Sequence, residues 1–247
     1  MSTQTQIVRV AMHAHSEWSY DADWPLSRIA KVMPHLGASV VMMSEHDTGF
    51  PAERFEQYRA ECAAASTKQC LIIPGIEYSD ETNSVHLPTW GLTRFLGEAR
   101  STVATLNDVA ADRGASIFAH PARRDVWSVY QDSWTALLSG LEIWNRKSDG
   151  LAPGQQALTL LQQTGLPPTI GMDFHRVNHL WPLINHVEIE SPVSEAKLVQ
   201  ALRAGRMTPY AFGAPLMNEA GTVRHSRHKK VENARKWIKT HILRRKR

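Results

Sequence analysis

Short apolar runs alternate with amphipathic stretches along most of the chain, at a spacing that predicts repeated strand–helix units. Ile7 to Met12, Ser39 to Met43, Leu71 to Ile76, Ala115 to Ala119, Leu141 to Trp144, Thr169 to Gly171 and Val187 to Ile189 read as buried strands. The intervening periodicity predicts helices from Pro25 to about Leu36, from Pro51 to Ser66, from Thr102 to Arg113 and from Gln155 to Gln163. A last helix is capped by Ser194 and closed at Ala204. Strands separated by helices imply a mainly parallel sheet. Ligand-type side chains at nearly every strand end favour a barrel, in which strand ends converge on one mouth. No glycine-rich turn of dinucleotide type follows the first strand, which argues against a Rossmann nucleotide site.

The polar residues at those strand ends carry the chemistry. Histidines and carboxylates recur from His13-Ala14-His15 to Asp173-Phe174-His175, and alternate residues of a strand share a face, so each such pair can aim both side chains at one ion or at two adjacent ions. Neutral imidazoles and carboxylates suit Zn, Mn or Fe. Cys62 and Cys70 are the only cysteines, which suggests two reduced, buried thiols and neither a disulfide scaffold nor a thiolate metal site.

Taken in order, His13-x-His15-Ser16, Asp21, Glu45-His46-Asp47, Pro74-Gly75-x-Glu77, His86, Ala119-His120-Pro121, Glu142-x-x-Asn145 and Gly171-x-Asp173-x-His175 resemble the PHP (polymerase and histidinol phosphatase) domain family. The resemblance covers roughly residues 7 to 211, ending in Ala201-Leu202-Arg203-Ala204-Gly205-Arg206. It implies an α/β fold, a distorted seven-stranded (β/α) barrel, with two or three divalent ions (Mn, Zn or Fe) at its mouth. By the same resemblance, His13, His15, Glu77 and Asp173 hold a first ion, and Glu77 bridges to a second that takes His120 and His86. Asp21, His46 and His175 hold a third. Glu45 departs from the family, which usually has Asp before that histidine; with Asp47 it is expected behind the ligands, orienting His46.

The implied activity is hydrolysis of a phosphate monoester, on a small phosphorylated metabolite or nucleotide, by a metal-activated hydroxide. Glu77, Arg123, Arg124 and Arg176 are the expected catalytic residues. The three arginines lie close in sequence to the ligands and present forks matched to phosphate oxygens. Trp127 and His179 join them as expected substrate contacts, and Lys147 is a further candidate in the loop after Asn145. Two other readings stay open: a 3′–5′ exonuclease acting on single-stranded ends, and a metal-binding regulatory module without turnover.

Charge separates the chain into two parts. From Thr222 to Arg247 there are eleven Lys or Arg against one Glu, a net +10, which leaves −6 for the first 221 residues. The expected organisation is a catalytic barrel over 1–213 and a basic extension over 214–247. Val231, Ala234, Trp237, Ile238 and Ile242 form the apolar strip of a helix from about Lys230 to Leu243, and Lys229, Lys230, Lys236, Lys239 and Arg244 occupy much of the rest. The partners such a helix admits are protein (the barrel itself or a second subunit, making a homo-oligomer), nucleic acid and an anionic membrane surface. No apolar run reaches transmembrane length and the first residues lack a secretory pattern, so the cytoplasm is the expected compartment.

Overall fold

The computed structural model describes residues 4–218, 221–224 and 226–238. Two six-stranded sheets make up its centre. In chain order the strands are β1 (Thr5–Ala14), β2 (Val40–Met43), β3 (Glu45–His46), β4 (Leu71–Ile73), β5 (Gly75–Ser79), β6 (His86–Trp90), β7 (Ala115–Phe118), β8 (Gly140–Asn145), β9 (Pro168–Gly171), β10 (Leu183–Glu190), β11 (Met207–Ala211) and β12 (Ala214–Pro215). The helices are α1 (Leu26–Val32), α2 (Phe55–Ala65), α3 (Thr102–Ala111), α4 (Arg146–Asp149), α5 (Gln155–Thr164), α6 (Glu195–Arg203) and α7 (Ser226–Ile238). The first sheet runs β12-β11-β10-β1-β2-β4 and the second β3-β5-β6-β7-β8-β9.

The mixed α/β class is as expected, but neither sheet closes on itself, and the strands number twelve among the described residues. The seven-stranded barrel and the mainly parallel sheet are both corrected. Five strand pairs are parallel and five antiparallel. The reason is local. The chain leaves the first sheet and enters the second at Ser44, between β2 and β3, and again at Pro74, between β4 and β5; Pro74 has no N–H for a ladder and divides the apolar run expected as one strand. Val187 to Ile189 belongs to a longer strand that pairs antiparallel with β1.

The sheets also meet where β1 and β9 end. His15 N–H donates to Phe174 O at 2.9 Å, and Phe174 N–H to His13 O at 3.1 Å. Beside this seam the Asn185 carboxamide accepts from Ile170 N–H at 3.0 Å and donates to Ile170 O at 2.7 Å, so one side chain replaces a ladder rung between β9 and β10. At the Ser44 crossing the Trp90 indole N–H donates to Met43 O at 2.6 Å. Alternate residues feed two cores: Val8, Val10, Met12, Val40 and Met42 pack with Trp90, Ile117 and Leu198, while Ala11, Val41 and Met43 belong with Ile29, Tyr58, Leu106 and Leu160 of the surrounding helices. Burial on both faces explains the near-continuous apolar strands. Cys62 and Cys70 are free and buried.

The hairpin β11–β12 spans the 213/214 boundary, and Leu216 is fully buried in the core. Helix α7 starts at Ser226; on it Val231 and Trp237 are more than half exposed, whereas Glu232 is buried. A carboxylate with partners in the body, described below, takes the inward position. Lys239, Ile242 and Arg244 lie outside the described residues. No described helix is long and apolar enough to cross a membrane.

Candidate metal centre

The strand ends and the loops beside them gather eight side chains around Glu77. Its Oε1 lies 3.1 Å from His13 Nε2, 3.1 Å from His86 Nδ1 and 3.2 Å from His120 Nε2. Its Oε2 lies 3.1 Å from His46 Nδ1 and 3.6 Å from His15 Nε2. Asp173 Oδ1 closes the group at 3.6 Å from His15 Nε2 and 3.8 Å from His13 Nε2. On the outer side Asp21 Oδ1 is 3.3 Å from His46 Nε2 and 3.2 Å from His175 Nε2. All nine expected ligands are thus together, and all but Asp21 are buried. Three triads have donor atoms within 4.8 Å of one another: His13, His15 and Asp173; His13, Glu77 and His120; His15, His46 and His175.

Backbone geometry builds this convergence. The β1–β2 register shifts between Met12 and Ala14, and His13 at that bulge has φ +59°; His120 and Asp173 also have positive φ, +30° and +48°. Non-glycine residues seldom adopt this region, and strain of this kind concentrates at functional sites.

The surrounding hydrogen bonds set the imidazole tautomers. Ser19 Oγ donates to Glu45 at 2.5 Å and accepts from His46 N–H at 3.1 Å, so its 3.2 Å contact with His15 Nδ1 receives the imidazole proton. The His15 Nε2 lone pair is left facing the cluster. Glu45 is held by Ser16 N–H and by Ser16 Oγ at 2.7 Å, and acts through these serines. Burial pushes the Glu45 carboxyl up, opposed by Ser19 and Ser16. Asp47 accepts from Ser79 N–H at 3.1 Å and Ala99 N–H at 3.2 Å, anchoring the end of β5.

Glu142 is the residue that sequence reasoning left without a role. Its Oε1 is 3.0 Å from His13 Nδ1, and its Oε2 accepts from His120 N–H at 2.8 Å and from the Asn145 amide at 2.9 Å. One carboxylate therefore orients a histidine and the strand end carrying another. Gly171 is glycine because a Cβ there would run into Glu142 Oε1 and come within 2.8 Å of His13 Cβ. The signal was the Glu142-x-x-Asn145 fragment itself.

The nine donors fit a set of cations. His13 Nε2, His15 Nε2 and His86 Nδ1 are buried without a hydrogen-bond partner, which is costly unless a cation satisfies their lone pairs. Without ions, protons take that place. Burial opposes charge on His46, yet the hydrogen bonds it donates to the Asp21 and Glu77 carboxylates push it up to about 10. His13 is raised well above the ordinary histidine value, against burial, by Glu142, Glu77 and Asp173. His15 is lowered by burial and by His175 and His46, and His120 by burial. Burial alone would raise Asp21, Glu77 and Asp173; the neighbouring histidines hold all three well below the usual carboxylate range, and Lys147 helps at Asp173.

A cavity of about 100 Å³ opens above the cluster, and Tyr20, Asn83, Arg123, Lys147 and Ser148 contribute to its lining. Lys147 Nζ lies 2.9 Å from His175 Nε2 and 3.4 Å from Asp173 Oδ1. Arg123 Nη1 is 3.0 Å from His86 Nε2, which is also 2.8 Å from Asn83 Oδ1. The exposed Tyr20 ring stacks on His46 at 5.1 Å. Arg124, Trp127, Arg176 and His179 do not line this cavity. Arg124 is exposed in a turn with φ +52°, Trp127 is exposed with its indole toward Asp125, and Arg176 is exposed. His179 instead accepts from His175 N–H at 3.2 Å, bracing a ligand from behind.

No family model matches the sequence, and no curated protein matches it. Solved structures do. A two-domain protein from Bacteroides vulgatus containing a predicted PHP-like metal-dependent phosphoesterase aligns with TM-score 0.62 and 16% identity over 84% of this chain. PsfC from Pseudomonas syringae aligns with TM-score 0.63 and 16% identity, covering 93% of this chain and 97% of its own. Endonuclease Q, solved with a 27-mer duplex bearing an abasic lesion at the active site, aligns with TM-score 0.54 and 13% identity over 81% of this chain. The chain spans 65% of the Bacteroides protein and 57% of the endonuclease chain. Its fold is that of the PHP-like proteins, as the ordered motifs imply.

Proposed function

We propose that the chain is a metal-dependent phosphoesterase acting on small phosphate monoesters, with a PHP-like catalytic unit over 1–213 and the basic extension over 214–247. The observation that carries this reading is Glu77, whose two carboxylate oxygens each face separate histidines. A carboxylate so placed would serve two cations at once. His13, His15, Glu77 and Asp173 would hold one ion, Glu77, His86 and His120 a second, and Asp21, His46 and His175 a third. When bound, divalent ions of the Mn, Zn or Fe type supply the positive charge that activates a water and neutralises the phosphate.

The chain's own residues do the rest. Arg123 and Lys147 face the cavity and hold phosphate oxygens by charge-assisted hydrogen bonds. Glu142 keeps His13 in its orientation and Ser19 keeps His15, so both Nε2 atoms stay aimed inward. The charged groups line the inner part of the cavity, so the phosphate enters first and the organic group of the ester lies towards its open side, along the exposed face of Tyr20. Arg124, Arg176, Trp127 and His179, expected at the substrate from their sequence neighbours, are replaced in that role by Arg123, Lys147 and Tyr20.

A panel of phosphorylated metabolites and nucleotides, assayed with Mn, Zn and Fe in turn, tests the reading. Turnover of at least one monoester is expected, together with its loss in Glu77→Gln. Failure across the panel and on single-stranded oligonucleotides overturns it in favour of a metal-binding module. The basic extension and the likeness to Endonuclease Q favour a nuclease as the second reading. Oligonucleotide cleavage that outpaces every monoester, with a steep salt dependence, selects it.

A further inference from the structure

Helix α7 reaches the turn behind the cavity rim through one buried group. Glu232 Oε2 accepts from Leu151 N–H at 3.1 Å, and both Glu232 oxygens pair with Arg235, at 2.6 and 2.8 Å. Residue 150 must be glycine: its φ is +80°, and a Cβ there would come within 2.9 Å of both Glu232 oxygens and 3.0 Å of Arg235 Nη2. The backbone is bare where the carboxylate lies against it.

That turn closes the element that carries Lys147. Helix α4 has a single turn, too short to hold itself in place. Its N-terminus is fixed by Asn145, whose side chain accepts from Ser148 N–H at 2.9 Å, and Asp149 accepts from Asn145 N–H at 2.9 Å. Its other end continues into Gly150, whose carbonyl accepts from the Trp144 indole at 3.2 Å, and into Leu151, held by Glu232. Ser148 lines both the cavity above the cluster and a second one, of about 230 Å³, bordered by Glu232 and Asn233. Burial lowers the Arg146 guanidinium, and the charge of Arg235 lowers it further.

We propose that Glu232 is a positioning residue for the substrate phosphate: by clamping Gly150–Leu151 it holds α4 so that the Lys147 ammonium stays at the cavity. The clamp stands on geometry alone; only its consequence rests on the phosphoesterase reading. The basic extension is then a working part of the site.

The test uses full-length, Mn-loaded protein and inorganic phosphate as the probe. In Glu232→Ala, hydrogen exchange at the Leu151 amide should accelerate. The Kd for phosphate should rise about tenfold while Mn content stays unchanged, since Lys147 is not a ligand. Glu232→Gln, which keeps an acceptor for Leu151, should stay within about twofold of wild type. Lys147→Ala should match Glu232→Ala, and the double variant should be no worse than Lys147→Ala alone. Glu232→Asp, which retains the charge but draws the carboxylate back by one methylene, carries the same expectation if the alanine variant does not fold. Unchanged phosphate affinity in the clamp variants, additive losses in the double variant, or no phosphate binding by the wild type each overturns the proposal. Normal phosphate binding with no ester cleaved leaves it standing and sinks only the phosphoesterase reading.

Discussion

Glu142 has no sequence neighbour among the proposed ligands, yet it touches His13 and the His120 backbone at once. Outer hydrogen-bond partners of ligating histidines typically contribute about 10–100-fold in metal affinity. Glu142→Gln should accordingly weaken Mn binding by roughly tenfold or more, measured by calorimetric titration, with the fold preserved by circular dichroism. Native affinity in that variant would remove Glu142 from the site. At this scale the His-x-His and Asp-x-His pairs were legible from their spacing at the strand ends, although a bulge at His13 and positive φ at His13 and Asp173, and not regular strand alternation, aim them in the structure. The arginines were not. Arg123 and Arg124 are adjacent, but a turn residue with φ +52° sends the chain elsewhere, and only Arg123 lines the cavity. Adjacency in sequence did not carry direction through the turn that begins at Arg124.

Among the elements, strands that sit within one sheet were found close to their bounds, as with Ala115–Phe118 and Pro168–Gly171. What the sequence hid was where a strand changes sheets. Leu71 to Ile76 reads as one apolar run because both halves are buried, though Pro74 divides it between two ladders. His86–Trp90 escaped notice because a proline and a histidine interrupt its apolar alternation. The β9–β10 seam depends on Asn185, a buried polar residue whose carboxamide satisfies both the N–H and the C=O of Ile170. Asn185→Leu keeps the branching and heavy-atom count of the side chain and leaves both backbone groups unpaired, which should cost about 2–4 kcal/mol in urea denaturation. A change below about 0.5 kcal/mol would mean that the seam is held by packing alone.

For the whole molecule, the convergence of buried charge couples metal content to stability and to pH. Metal-free, the cluster balances Glu77, Asp173 and Asp21 with protons on His13 and His46. His46 is raised from the ordinary value of 6.5 to about 10, so its proton stabilises the metal-free fold fully below pH 6.5, and that contribution disappears as pH rises through about 10. With ions bound, the same histidines are already neutral and nothing is lost over that window; metal affinity itself rises with pH as competing protons leave. Saturating metal at about 100 times its Kd adds about 2.7 kcal/mol to stability, so stripping it should lower Tm measurably. The gap in Tm between loaded and chelator-treated protein should therefore widen from pH 6.5 towards pH 9.5, as the protons that replace the cations are removed. Thermal scans at three pH values decide it. A gap that stays constant or narrows with rising pH shows that protons and cations do not compete for this cluster, and Glu77 and the eight side chains around it lose their reading as a metal centre.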